Sequence, residues 1–227
     1  GLTVNTSATL AVFLSDALRY LMSFPYGCTE QIASKLSSLA IVKRGLNLEN
    51  VGDKFNIDDI EFEGKRYSME DVVRIGLARI YENQKTDGGF GYYQWFESNF
   101  WLTIHTVNAL IDLKEAGFAI NESALTRGAE FLNQQIAIKP DLYRNNDAVI
   151  ISSYTLGRIE HYAKRSDIEA KITAIASDSA LINEKLPHIS LAYLAIVLAR
   201  GNYAAGLKES VYKALENRID IDARGAY

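Results

Sequence analysis

The chain has 227 residues, 24 Lys and Arg against 28 Asp and Glu, a net charge of −4 and 48% hydrophobic residues. That balance excludes a disordered polymer, and no apolar run, Tyr193–Ala199 included, approaches the ~20 residues of a membrane helix. Acidic charge without a basic stripe argues against a nucleic-acid partner, and a single cysteine leaves no internal disulfide and no Cys-based zinc site.

Helical periodicity dominates, with apolar residues recurring at i, i+3, i+4 and i+7. The predicted helices run over 7–22, 28–44, 69–84, 101–116, 123–137, 148–164, 167–179, 188–200 and 207–218. Pro25 breaks the first. In the second, Ile32, Leu36, Leu39 and Ile41 are expected to face the core. Ser68 is the expected N-cap of the third, with Asp71 three residues on. Gly117 is the expected C-cap of the fourth, and Pro187 stands where a helix start tolerates proline. Between the second and third helices, residues 50–67 mix Phe55, Ile57, Ile60, Phe62 and Tyr67 with Asp, Glu and Gly, which predicts a loop or small β-hairpin insertion. A second irregular stretch, 86–99, is rich in glycine and aromatics.

Three similar helix segments, around Gly117, Gly157 and Gly201, recur at about 40–45 residues, the size of a helical hairpin repeat. One hairpin cannot bury its own apolar face, so repeats stack. The expected fold class is all-α, either an open solenoid or a closed α/α toroid of helical hairpins, with an incomplete ring consistent with the length. No linker rich in Pro, Gly or Ser divides the chain, so residues 1–227 are read as a single domain. The Gly1 start and the abrupt end at Tyr227 suggest a piece excised from a larger multidomain protein.

The chemistry-bearing stretch is Phe24-Pro-Tyr-Gly-Cys-Thr-Glu-Gln31. Cys28 and Gln31 stand three apart at a helix start, so their side chains can share one face. Free amide groups and the helix dipole there favour a negative charge. Sulfur attack on the glutamine side-chain carbonyl would expel ammonia and close an internal thioester. Pro25 and Gly27 would shape the sharp entry. On spacing alone, a small buried cysteine filling space is the better explanation, because Cys-x-x-Gln is common by chance.

The segment Pro25-Tyr-Gly-Cys-Thr-Glu-Gln31 closely resembles the thioester signature of the alpha-2-macroglobulin and complement family. Thr29 stands where most animal members carry glycine. Thr there, with an aromatic before the proline, resembles the bacterial alpha-2-macroglobulins, although Phe24 replaces the usual tyrosine. Asp87-Gly-Gly-Phe-Gly-Tyr-Tyr-Gln-Trp95, then Trp101-Leu-Thr103 and Asn108-Ala-Leu110, resemble the family's glycine-aromatic loop and following helix. The family fold is the α/α toroid.

The resemblance implies that Cys28 supplies the sulfur and Gln31 the acyl carbon, flanked by Phe24, Pro25, Tyr26, Gly27, Thr29 and Glu30. A lysine amine of an attacking protease would then be acylated once, after cleavage of a bait region elsewhere, so the protein would be a protease inhibitor and not an enzyme. Target proteases, their surface lysines and neighbouring domains of the parent chain are the implied partners. No cofactor or metal is implied. The implied location is extracytoplasmic: the periplasm, or a lipoprotein anchored to the inner membrane, in a host-defence role. Phe24, Tyr26, Tyr92, Tyr93, Trp95, Phe96, Phe100 and Trp101 are candidates for a water-excluding surround, with ordinary packing the competing reading of each. None of His105, His161 and His188 matches the family's acyl-relay histidine, so amines should be preferred over hydroxyls.

Two other readings compete. Gln84-Lys-Thr-Asp-Gly-Gly-Phe-Gly91 resembles a turn of terpene cyclases and protein prenyltransferases, but Asp58-Asp59 lacks a third acid and Cys28 already sits in a better motif. A plain helical-repeat interaction module would explain the repeats but not the 24–31 segment. Gln84 itself reads as a structural clamp.

Overall fold

A computed structural model of the chain describes residues 27–49, 60–62, 65–159, 166–218, 221–222 and 225–226. The helix predicted over 7–22, together with Phe24, Pro25, Tyr26, the Asp58-Asp59 pair and His161, lies outside those residues. Nine α-helices occur among the described residues. They are α1 (Thr29–Glu49), α2 (Met69–Glu82), α3 (Phe100–Glu115), α4 (Glu122–Ile138), α5 (Pro140–Arg144), α6 (Asn146–Leu156), α7 (Ser166–Ser177), α8 (His188–Arg200) and α9 (Ala205–Glu216). Two short hairpins accompany them. Strands β1 (Ile60–Phe62) and β2 (Lys65–Tyr67) pair antiparallel with Ile60 opposite Tyr67, inside the insertion expected over 50–67, whose residues 50–59 and 63–64 lie outside those described. Strands β3 (Ile221–Asp222) and β4 (Gly225–Ala226) form a second pair that the sequence pattern did not announce.

Helix α2 starts as its sequence predicts. Ser68 is the N-cap, its hydroxyl accepts from the Asp71 N–H at 3.1 Å, and the Asp71 carboxylate accepts from the Ser68 N–H, completing a capping box. The helix predicted over 148–164 is the clearest departure. It begins two residues earlier, where Asn145 caps it by accepting from the Ala148 N–H, and α6 stops at Leu156 with Gly157 as its C-cap. Just before it, α5 was not foreseen. Its five residues are too few for a period to show, and Pro140 restarts the helix after an extended Lys139.

The chain divides into two compact units, with the boundary inside α4 between Phe131 and Leu132. In the first, α1 and α3 run in the same direction side by side. Ser34 pairs with His105, Ser37 with Asp112 and Arg44 with Glu115, in ascending order on both helices. Their shared core includes Leu36, Leu39, Val107 and Leu110, all at most 1% exposed, and Val73, Leu77 and Ile80 of α2 are buried too, whereas Ile41, expected on the core face, is 63% exposed. In the second unit, Val149 and Ile150 of α6, Ile172 and Ile175 of α7, Leu191, Leu194 and Leu198 of α8 and Val211 of α9 form one apolar cluster. A π-helical turn, Leu181–Lys185, follows α7 there. The Arg218 guanidinium donates to the carbonyls of Ile182, at 2.7 Å, and Leu186, occupying acceptors near the end of that turn.

Candidate functional site: the start of the first described helix

Cys28 is the residue from which α1 departs: its carbonyl accepts the first helical hydrogen bond, from the Ile32 N–H at 3.1 Å. Counting from that cap, Gln31 is the third helical residue, the position from which a glutamine side chain can turn back on the cap. It does so. Gln31 Oε1 accepts from the Cys28 N–H at 3.1 Å. The side-chain carbonyl carbon, bonded to that oxygen, therefore lies against the main chain of Cys28. The Cys28 thiol is free and half-buried.

Gly27 makes this fold-back possible. A Cβ at position 27 would stand 2.6 Å from Gln31 Oε1 and 2.9 Å from Gln31 Cβ, so any larger residue would drive the glutamine side chain off the cap. The expectation that Gly27 shapes the entry thus acquires a definite form: it vacates the space that Gln31 occupies.

Thr29, fully buried, tethers the helix start to the glycine-aromatic loop. Its N–H donates to the Tyr92 carbonyl at 3.1 Å. Its hydroxyl donates to the Gly91 carbonyl at 2.7 Å, with Tyr92 O at 3.2 Å, and accepts from Asn83 Nδ2 at 2.9 Å. Asn83 is also the C-cap of α2. One side chain therefore joins the start of α1, the end of α2 and the loop, a junction that no local pattern announces. Glu30 is exposed, and it stands in the first turn of α1, where a carboxylate complements the helix dipole.

The loop is held from its own side. Gln84 donates through Nε2 to the carbonyls of Gly88, at 2.9 Å, and Ala124, at 2.8 Å, while its Oε1 accepts from Arg127. Gln84 is the clamp its position suggested. Asp87 accepts from the Gly89 N–H and, at 2.6 Å, from the Ser98 hydroxyl. Gly88 has φ +91°, and a Cβ there would collide with the Arg127 carbonyl.

Beside Gln31 is an open hollow. Arg79 and Glu82 of α2 line one side, and Tyr93 and Trp95 of the loop line another. The rings of Tyr93 and Trp95 stack at 5.1 Å with 5° between their planes, and Phe96 packs against both. Lys85 Nζ braces this group by donating to the carbonyls of Tyr93 and Gln94. Trp95 is 79% exposed and Phe96 48%. Of the aromatics expected to exclude water, Tyr93 and Trp95 reach the hollow but leave it open. His105 is a packing residue, its Nε2 2.9 Å from the Ser34 hydroxyl, and His188 is an exposed helix-start residue. No three His, Cys, Asp or Glu side chains among the described residues converge on a point that could hold a metal ion.

Chemically, the arrangement seats the Gln31 side-chain carbonyl oxygen on the backbone N–H of the cysteine that starts the helix. Negative charge developing on that oxygen would meet a donor and the positive end of the helix.

The sequence matches the A-macroglobulin TED domain family over residues 3–149. It is 25% identical over 174 residues, 76% of this chain, to the alpha-2-macroglobulin of Thermotoga maritima, and it spans about a tenth of that protein's length. Trypsin-activated alpha-2-macroglobulin from Escherichia coli superposes with a TM-score of 0.59 at 23% identity, covering 86% of this chain and 13% of that one. Salmonella alpha-2-macroglobulin reacted with methylamine superposes with a TM-score of 0.61 at 23% identity, covering 93% of this chain and 13% of that one. The chain belongs to the A-macroglobulin TED domain family, in its bacterial alpha-2-macroglobulin type, and its fold class is the all-α, α/α toroid class of those domains.

Proposed function

We propose that Cys28 and Gln31 form an internal thioester and that the chain is the acyl-donating domain of an alpha-2-macroglobulin-like protease inhibitor. The observation that carries this reading is the Gln31 side-chain carbonyl folded back onto the Cys28 N–H at the start of α1. In the closing step, Cys28 sulfur adds to Gln31 Cδ, the S–C bond forms, the thiol proton passes to the amide nitrogen, and the C–N bond breaks with ammonia leaving. In the trapping step, a lysine amine adds to the same carbon, the S–C bond breaks, and the amine proton passes to the sulfur. An amide to the target and a free Cys28 thiol remain. Each domain reacts once, so the protein is a trap without turnover.

The reported reaction of the Salmonella protein with methylamine, and the trypsin activation of the Escherichia coli protein, support carrying amine reactivity and protease encounter to this chain. We assign both units to one thioester domain within a longer, extracytoplasmic bacterial protein. Its attacking proteases, through their surface lysines, are the targets. The exposed Tyr93, Trp95 and Phe96 beside the hollow are suited to burial under a neighbouring domain of the parent chain.

Intact mass tests the assignment. The untreated chain should be one ammonia lighter than its sequence, and methylamine should add covalently at Gln31. Cys28→Ala should abolish uptake with helix content unchanged; uptake persisting in that variant refutes the assignment.

A further inference from the structure

The second unit holds a cavity of about 190 Å³ that takes no part in the chemistry above. Its apolar walls come from four helices: Ile136 of α4, Val149 of α6, Ile168 of α7 and Val197 of α8. An aliphatic chamber of roughly 150 Å³ is enough to take a benzene ring, so this one is of a size for one aromatic group.

Polar side chains, Asn133, Ser153 and Tyr154 among them, interrupt the apolar lining, and three others present groups that a ligand can pair with. Ser152 is 2% exposed, and its hydroxyl has no hydrogen-bond partner among the described residues. Its neighbours on α6 show what it forgoes. Ser153 donates to the Val149 carbonyl at 2.7 Å and Thr155 to the Ile151 carbonyl at 2.9 Å. Buried hydroxyls are nearly always paired, so a lone one lining a cavity points to a ligand atom that completes it. The other two are Glu169 and Arg200, of opposite charge and not paired with each other. Arg200 lies over the Tyr154 ring, 5.7 Å from its centre, in the same lining. Tyr203 sits there as well, and burial, then the Glu169 charge, keeps its hydroxyl protonated.

We infer that this cavity binds a free aromatic amino acid with a polar tip, a tyrosine-like zwitterion. The ring fills the chamber, the phenol pairs with Ser152 Oγ, the ammonium meets Glu169 and the carboxylate meets Arg200. An aliphatic acid or a simple amine would satisfy only one of the charges, and an untipped ring would leave Ser152 unpaired. The inference is independent of the thioester.

Calorimetric titration of the 227-residue chain tests it with L-tyrosine, L-phenylalanine, tyramine, 3-(4-hydroxyphenyl)propionate and N-acetyl-L-tyrosinamide. L-tyrosine should bind saturably. L-phenylalanine should bind about 5-fold more weakly, one neutral hydrogen bond short. Tyramine and the propionate should each bind about 10-fold more weakly, lacking one charge apiece. Ser152→Ala, checked for folding by circular dichroism, should equalise tyrosine and phenylalanine. Arg200→Met should equalise tyrosine and tyramine, and Glu169→Gln should equalise tyrosine and the propionate. Absence of saturable tyrosine binding to the folded chain overturns the inference. So does N-acetyl-L-tyrosinamide binding as well as tyrosine, or a tyrosine preference that survives Ser152→Ala.

Discussion

Thr29→Val removes one hydroxyl and keeps the side chain's shape, so its cost measures the tether between α1, α2 and the glycine-aromatic loop. The Thr29 Oγ1 accepts from Asn83 Nδ2 at 2.9 Å and donates to the Gly91 carbonyl at 2.7 Å, inside a fully buried site. Valine leaves both partners without that bond. Each orphaned buried polar group costs roughly 1–3 kcal/mol, which puts the variant about 2–6 kcal/mol below wild type. Tyr92 loses less, since its carbonyl keeps the Thr29 N–H. Thr29→Ser keeps the hydroxyl and loses one methyl, at about 1 kcal/mol. The assay is urea unfolding followed by tryptophan fluorescence. The two tryptophans, Trp95 and Trp101, lie in the loop and in α3, so the signal reports the first unit alone. Far-ultraviolet circular dichroism follows the whole chain and should show the second unit's transition unchanged. A Thr29→Val midpoint indistinguishable from that of Thr29→Ser would refute the reasoning, because the hydroxyl would then carry no stability.

Gly27→Ala should displace the Gln31 side chain, whose Oε1 would face a Cβ at 2.6 Å; methylamine uptake, followed by mass, should slow by about tenfold or more, the equivalent of ~1.4 kcal/mol, with helix content unaltered. Lys35 is 7% exposed, and burial lowers its pKa from 10.5 to about 8. The unfolded chain therefore binds more protons between those values, and stability rises with pH across that window. Below it, the buried ammonium costs roughly 3 kcal/mol, so Lys35→Met should be the more stable protein at pH 7 and lose that advantage towards pH 10.5 in a paired unfolding series. Gly88→Ala combines a φ of +91° with a collision against the Arg127 carbonyl; a loss of about 2–4 kcal/mol is expected by tryptophan fluorescence.

Features written in contiguous residues were legible. Helix α8 begins and ends where its apolar spacing and Pro187 place it, and the Ser68–Asp71 capping box was visible as a Ser followed by an acid three residues on. The Cys28–Gln31 spacing was equally readable. The Thr29 junction was not, because Thr29 meets Gly91 across 62 residues and the meeting depends on the shape of the loop between α2 and α3. The end of α6 at Gly157 was missed because apolar residues continue past it through Ile159, and periodicity alone cannot tell a helix from the turn that follows.

The cap on α1 gives the proposed trap a direction in time. Water attack at Gln31 would leave a glutamate at the third helical position, where a carboxylate accepts from the Cys28 N–H more strongly than an amide or thioester oxygen does and also complements the helix dipole. Loss to water would thus be helped by the same backbone contact that, in the proposed reading, holds the Gln31 carbonyl for sulfur attack. A hydrolysed molecule would be locally better capped than a loaded one, whereas one joined to a lysine would keep an amide oxygen at the cap, so only loss to water would leave its mark on the helix.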